Sequence, residues 1–186
     1  MAPAPRTAAA LRRPSAFVCL ALVLAATRVL ALETLSPPAG IQPMTIPFSI
    51  DRRLPTGLLP SLEEAARKLR DSRCQEVLTD FVDLGGERLN IRLASAGLTL
   101  PGYLGYVLFY DGRATRPCSA HDVLAWTTPG SRAVFICWDQ FAAQQRASTG
   151  AAANILIHET LHTLGLGENP PDAREITAQV AARCGR

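Results

Sequence analysis

Lysine is almost missing from this chain: Lys68 is the only one, and every other basic residue is an arginine. Histidine is nearly as scarce, with His121, His158 and His162 the full set, and methionine is limited to Met1 and Met44. The five cysteines contain no CxxC pair, which excludes the usual structural zinc frameworks. No apolar run approaches the roughly 20 residues needed to cross a bilayer. The longest covers residues 16–26 and is interrupted soon after by Arg28. No internal repeat and no long low-complexity stretch occurs beyond it.

That short apolar run follows a basic region containing Arg6, Arg12 and Arg13, and Val29-Leu30-Ala31 offers small or modest residues after it. Together they predict an export signal over residues 1–31. Four of the 19 basic residues (Arg6, Arg12, Arg13, Arg28) lie in it, leaving 15 against 16 acidic ones. The exported portion is then nearly neutral. Nothing in that balance points to nucleic acid as a partner, and stable membrane insertion after signal removal is not expected.

Cysteine usage agrees with an oxidising, secreted or periplasmic destination. Cys19 leaves with the signal, and Cys74, Cys118, Cys137 and Cys184 remain, an even number. Of the three pairings open to four cysteines, Cys118–Cys137 and Cys74–Cys184 are favoured. The first would bracket one hairpin, and the second would tie the last helix back to the first.

Residues 32–59 are rich in proline and lack periodicity, so an extended arm is expected before a single domain over residues 60–186. Ser61 and Glu64 have capping-box spacing and predict a helix running to residue 73; another is expected near residues 87–96. Residues 103–110 (YLGYVLFY) are aromatic and β-branched enough for a strand, closed by Asp111-Gly112. Two more strands are expected over residues 123–127 and 133–138, joined through Pro129-Gly130. Helices follow over residues 139–147 and 151–164, the latter with Ile157, Leu161 and Leu164 as a core-facing stripe. A second capping box, Asp172 with Glu175, opens a last helix ending near residue 183. The expected class is α+β: a short mixed or antiparallel sheet packed on the helix of residues 151–164, with two disulfides.

The chemistry concentrates on that helix. His158 and His162 stand four apart and so share one face. Both imidazoles can then reach one Zn²⁺, while Glu159 projects beside them as a general base toward water. With three histidines and eight glutamates in 186 residues, chance produces an HExxH only about 0.2% of the time, so the match demands an explanation. A catalytic zinc needs a third protein ligand. Gly165 and Gly167 allow the chain to leave the helix and fold back, and Glu168 is the first strong ligand after them. Glu175, Asp172 and His121 remain alternatives.

The segment HETLHTLGLGE resembles the extended signature of metzincin peptidases, HExxHxxGxx followed by a third ligand. It is also similar to a group of secreted bacterial HExxH proteins carrying an HE-L-HTLGLGENPP segment after a disulfide-flanked hairpin. The resemblance is strong here and loose over residues 74–186. It implies His158, His162 and Glu168 as zinc ligands and Glu159 as base, in a small zincin-like fold. Two departures stand out. The third ligand position holds glutamate where metzincins use histidine or aspartate, and no methionine follows the motif to form a methionine turn. The implied activity is a secreted zinc metallopeptidase acting on peptide or protein substrates; separately, a monomer is expected. A zinc-binding domain without turnover, or a zinc hydrolase of non-peptide amides, is the alternative. Residues 133–138 are expected as the strand along which substrate would pair.

Overall fold

The computed structural model describes residues 46–185. The expected export signal, Cys19 and the first part of the arm lie outside the described residues. The remainder of the arm joins the fold: Ser49–Ile50 form strand β1, and Leu54 and Leu58 are buried in the core. Gly105 permits that approach, since a Cβ there would meet Ile46 Cγ2 at 2.6 Å and the Pro47 carbonyl at 3.0 Å.

A 3-10 turn over Thr56–Leu58 leads into helix α1, Leu59–Lys68. The expected cap at Ser61 does not form. Pro60 fits the first turn, where a missing N–H costs nothing, so the helix begins earlier. Ser61 therefore lies inside α1, buried with its hydroxyl unpartnered, and Glu64 pairs instead with Arg67 at 2.6–2.7 Å. Short helices α2 (Ser72–Gln75), α3 (Val77–Asp80) and α4 (Leu89–Ser95) follow, the last within the stretch expected to be helical.

Residues 103–110 depart from expectation in their first half. Thr99 caps helix α5, Leu100–Tyr106, by accepting from the Gly102 amide at 3.2 Å, and Pro101 sits in its first turn. These local helix-start devices outweigh the strand propensity of Tyr103 and Tyr106. Only Leu108–Asp111 forms strand β2. After a 3-10 turn over Pro117–Ser119 come β3, Ala125–Thr127, and β4, Ala133–Ile136. Helices α6 (Trp138–Ala147), α7 (Thr149–Thr163) and α8 (Ala173–Cys184) complete the α+β chain.

The four strands form one mixed sheet in the order β1-β2-β4-β3. β1, β2 and β4 run parallel, and β3 runs antiparallel to β4, with Trp126 opposite Phe135. Residues 133–138 are thus not an edge strand: β4 lies between β2 and β3, and β3 holds the edge. Alternation places Val134 and Ile136 in the core while Phe135 stacks between Tyr110 and Trp126 on the other face. Helix α7 is the hub, packing against α1, α6, α8, β3 and β4. Leu156, Ile157 and Leu161 are completely buried within it.

Lys68, the sole lysine, serves this packing. Its ammonium donates to the Gly150 carbonyl at 3.2 Å and to Asn154 Oδ1 at 2.8 Å, pinning α1 to the start of α7. Burial holds its pKa below the usual lysine range.

Both expected disulfides are present, Cys118–Cys137 and Cys74–Cys184. The second fastens the end of α8, where Arg183 also makes a two-point contact with Asp80 at 2.8 Å and pairs with Glu76. The Arg183 guanidinium, with help from Gln179, holds the Asp80 carboxyl below the usual carboxylate range. Such a depressed folded value stabilises the protein above the unfolded pKa of about 3.9, and the contribution is lost as pH falls through the folded value. Asp80→Asn should therefore lessen the drop in urea midpoint between neutral pH and about pH 3. Identical midpoint-versus-pH slopes for the two proteins would contradict this role.

Candidate metal centre

Ser148 caps the start of helix α7, its hydroxyl accepting from the Ala151 amide at 3.1 Å. Its last two turns carry His158, Glu159 and His162, all with under a tenth of their surface exposed. Three polar side chains so deeply placed need partners or a ligand.

The way the helix ends positions the rest of the site. Gly165 takes φ 108°, which favours glycine, and its amide donates to the His162 carbonyl at 2.9 Å. The Leu166 amide reaches back to the Leu161 carbonyl at 3.2 Å. This pair of bonds is a Schellman closure, and Leu166 and Leu161 are both buried in the core. The reversal lets the Leu166 carbonyl accept from His162 Nδ1 at 2.7 Å. Residues 83–84 hold the turn from outside: Asp83 forms a bridge with Leu166, and the Leu84 amide donates to the Gly165 carbonyl at 3.0 Å. The β3–β4 connection holds it from the other side through the Gly130 amide, 2.8 Å from the His162 carbonyl.

Glu168 emerges from this turn over the two imidazoles. His158 Nε2 and His162 Nε2 are 2.9 Å apart, and Glu168 Oε1 lies 3.8 and 3.3 Å from them. Because His162 Nδ1 donates to a carbonyl, neutral His162 presents a lone pair at Nε2. That lone pair faces a carboxylate oxygen, a contact that only a proton or a metal cation holds together. The point equidistant from the three atoms lies about 2 Å from each, within the range of metal–nitrogen and metal–oxygen bonds. The three residues fit a metal ion.

Electrostatics support the same reading. Burial first, and then the neighbouring His162, push the His158 pKa down to about 3, keeping the imidazole neutral as a ligand must be. Burial, reinforced by the Glu168 charge, pushes Glu159 up to about 8, and its Oε2 has no hydrogen-bond partner. A cation in the cluster would oppose that rise. The cluster opens into a cleft of about 470 Å³ whose walls include Leu124, Trp126, Ile155, Glu159, Ala173 and Thr177.

The structure thus brings together His158, His162 and Glu168, with Glu159 in the same cleft. Glu175 and Asp172 are not part of the cluster. Asp172 accepts from the Arg174 and Glu175 amides, and Glu175 accepts from the Asp172 amide, closing the expected capping box. His121 is exposed and outside the group. Sequence reasoning missed the Leu166 carbonyl behind His162 and Thr177, whose hydroxyl lies 3.0 Å from His158 Nδ1. A backbone carbonyl leaves no trace in composition, and Thr177 marks itself only as a lone threonine inside a helix.

No protein-family model matches this chain, nor does any curated protein or solved structure.

Gly165 should tolerate no side chain. Besides the unfavourable φ, a Cβ would sit 3.0 Å from Asp83 Cβ. Gly165→Ala is expected to cost about 1–3 kcal/mol in urea unfolding and to weaken metal binding as Glu168 shifts. Unchanged stability and affinity would show that the reversal does not depend on glycine.

Proposed function

We propose that this protein is an exported zinc-dependent hydrolase that cleaves peptide bonds. The observation that carries the reading is the convergence of His158, His162 and Glu168 in a cleft beside the buried, unpartnered carboxyl of Glu159. Two nitrogens and one carboxylate oxygen are a donor set suited to zinc, and three protein ligands leave a position open for catalysis. Zinc, when bound, supplies Lewis acidity toward a carbonyl and makes water more acidic.

The chain's own residues supply the remainder. Glu159 takes the proton of the attacking water on its carboxylate and returns it to the departing amine. A purely structural site would have no use for a carboxyl held there without a partner. Edge strand β3 lines the cleft through Ala125, Trp126 and Thr127. An extended substrate backbone can pair along it, a role that falls to β3 rather than β4. The motif helix, the reversal that delivers the third ligand and the antiparallel edge strand together support a small zincin-like arrangement. Both disulfides fit an oxidising destination, in keeping with the export signal read in residues 1–31.

Zinc content and cleavage of a broad peptide library test this together. Wild type is expected to hold one zinc and cleave. Glu159→Gln should keep the zinc and lose about 10²–10⁴-fold in kcat, whereas Glu168→Ala should lose the metal. Stoichiometric zinc without any cleavage would overturn the peptidase reading, and full activity in Glu159→Gln would overturn the mechanism.

A further inference from the structure

Resting on the hydrolase reading, we propose that the Cys118–Cys137 disulfide is a clasp for one wall of the cleft, so that breaking it loosens substrate binding while the fold and the metal centre remain.

The wall is the connection between β2 and β3, residues 112–124, which contributes Pro117, Asp122, Val123 and Leu124 to the cleft. It has almost no core of its own. Of residues 113–122, eight are exposed, Thr115 is half-buried and Cys118 alone is buried. A loop without buried side chains opens easily unless bonds hold it. At its start Arg113 pairs with Asp111 at 2.7 Å. Further on, Thr115 Oγ1 accepts from Trp126 Nε1 at 3.0 Å, and Gln140 Nε2 donates to the carbonyls of Cys118 at 3.1 Å and Ala120 at 3.4 Å. These bonds are exposed or half-buried, so water replaces them at little cost.

The disulfide is the one covalent tie. It joins Cys118 to Cys137, which is fully buried between β4 and α6. A Cβ on Gly112 would lie 2.8 Å from the Cys118 sulfur, so glycine there lets the sulfur rest on the backbone just after β2. The metal ligands are held separately, by α7, the reversal at Gly165 and the Gly130 amide, with no hydrogen bond from residues 113–122 among the described residues.

The second disulfide has a different place. Cys74 and Cys184 lie within the hydrophobic core, neither lines the cleft, and they close 110 residues of sequence against 19 for Cys118–Cys137. The longer closure restricts the unfolded chain more, so that bond contributes more to global stability. Cys118, at 7% exposure and with exposed neighbours on both sides, is the cysteine that local opening uncovers first. A thiolate of an external dithiol then attacks Cys118 Sγ. The protein S–S bond breaks, a mixed disulfide forms, and Cys137 leaves as a thiolate and takes up a proton. The reductant's second thiol closes on its first sulfur and frees Cys118 as a thiol. Two electrons and two protons pass to the protein, and the reductant departs as a cyclic disulfide.

The peptide that wild type cleaves fastest in the library is the probe. Cys118→Ala/Cys137→Ala should raise its KM at least about tenfold with kcat within about threefold. The same variant should keep Zn²⁺ affinity within about threefold of wild type and show faster amide exchange mainly over residues 113–124. Cys74→Ala/Cys184→Ala should show the larger fall in thermal midpoint. When wild type is treated with limiting dithiothreitol, alkylation and mass spectrometry should find Cys118 and Cys137 modified before Cys74 and Cys184. An unchanged KM in Cys118→Ala/Cys137→Ala, or exchange as slow as in wild type, would overturn the clasp. So would failure of that variant to fold, since a tie confined to the wall leaves the core standing, and so would earlier opening of Cys74–Cys184. Wild type that cleaves no peptide would overturn the hydrolase reading instead, and exchange over residues 113–124 would still decide whether the disulfide holds the loop.

Discussion

His162 Nε2 and Glu168 Oε1 face each other at 3.3 Å, both as electron-pair donors, with His158 Nε2 completing the triangle. Such an arrangement repels itself unless positive charge lies within it, and the architecture around it works to hold the three atoms in place. The Schellman closure at Gly165 turns the chain back within two residues of the motif. Asp83 and Leu84 brace that turn on one side and Gly130 on the other. Burial of α7 among α1, α6, α8 and the sheet fixes the helix from which both imidazoles project. Each contact limits a freedom that would otherwise let the ligands separate.

Much of this was readable in advance because it follows from short-range rules. The i, i+4 spacing of His158 and His162 places both rings on one helix face in any helical context. Gly165 marks the helix end, and Glu168 is the first ligand type beyond it. The Asp172–Glu175 capping box is equally local and forms as read. Pairing of Cys118 with Cys137 and of Cys74 with Cys184 follows from which elements had to be neighbours.

What escaped the sequence was decided by tertiary context or by backbone atoms. Ser61 satisfies the capping pattern, yet Pro60 starts the helix before it and packing draws it inward. Residues 103–106 carry strand propensity, but Thr99 and Pro101 build a helix over them. Strand order is a global property, so β4 reads like an edge strand while lying between β2 and β3. Thr177 lies 19 residues from His158 and reaches it only because α8 folds across α7. That contact is invisible until the two helices meet.

The proposed chemistry requires one metal held by two imidazoles and one carboxylate. X-ray absorption at the zinc edge of the purified protein reads that shell directly. Two histidine nitrogens and at least one carboxylate oxygen are expected at about 2.0–2.2 Å, with the imidazole scattering lost in His158→Ala/His162→Ala. A zinc shell of oxygen atoms without imidazole scattering, or protein purified under zinc supplementation that carries none, would contradict it.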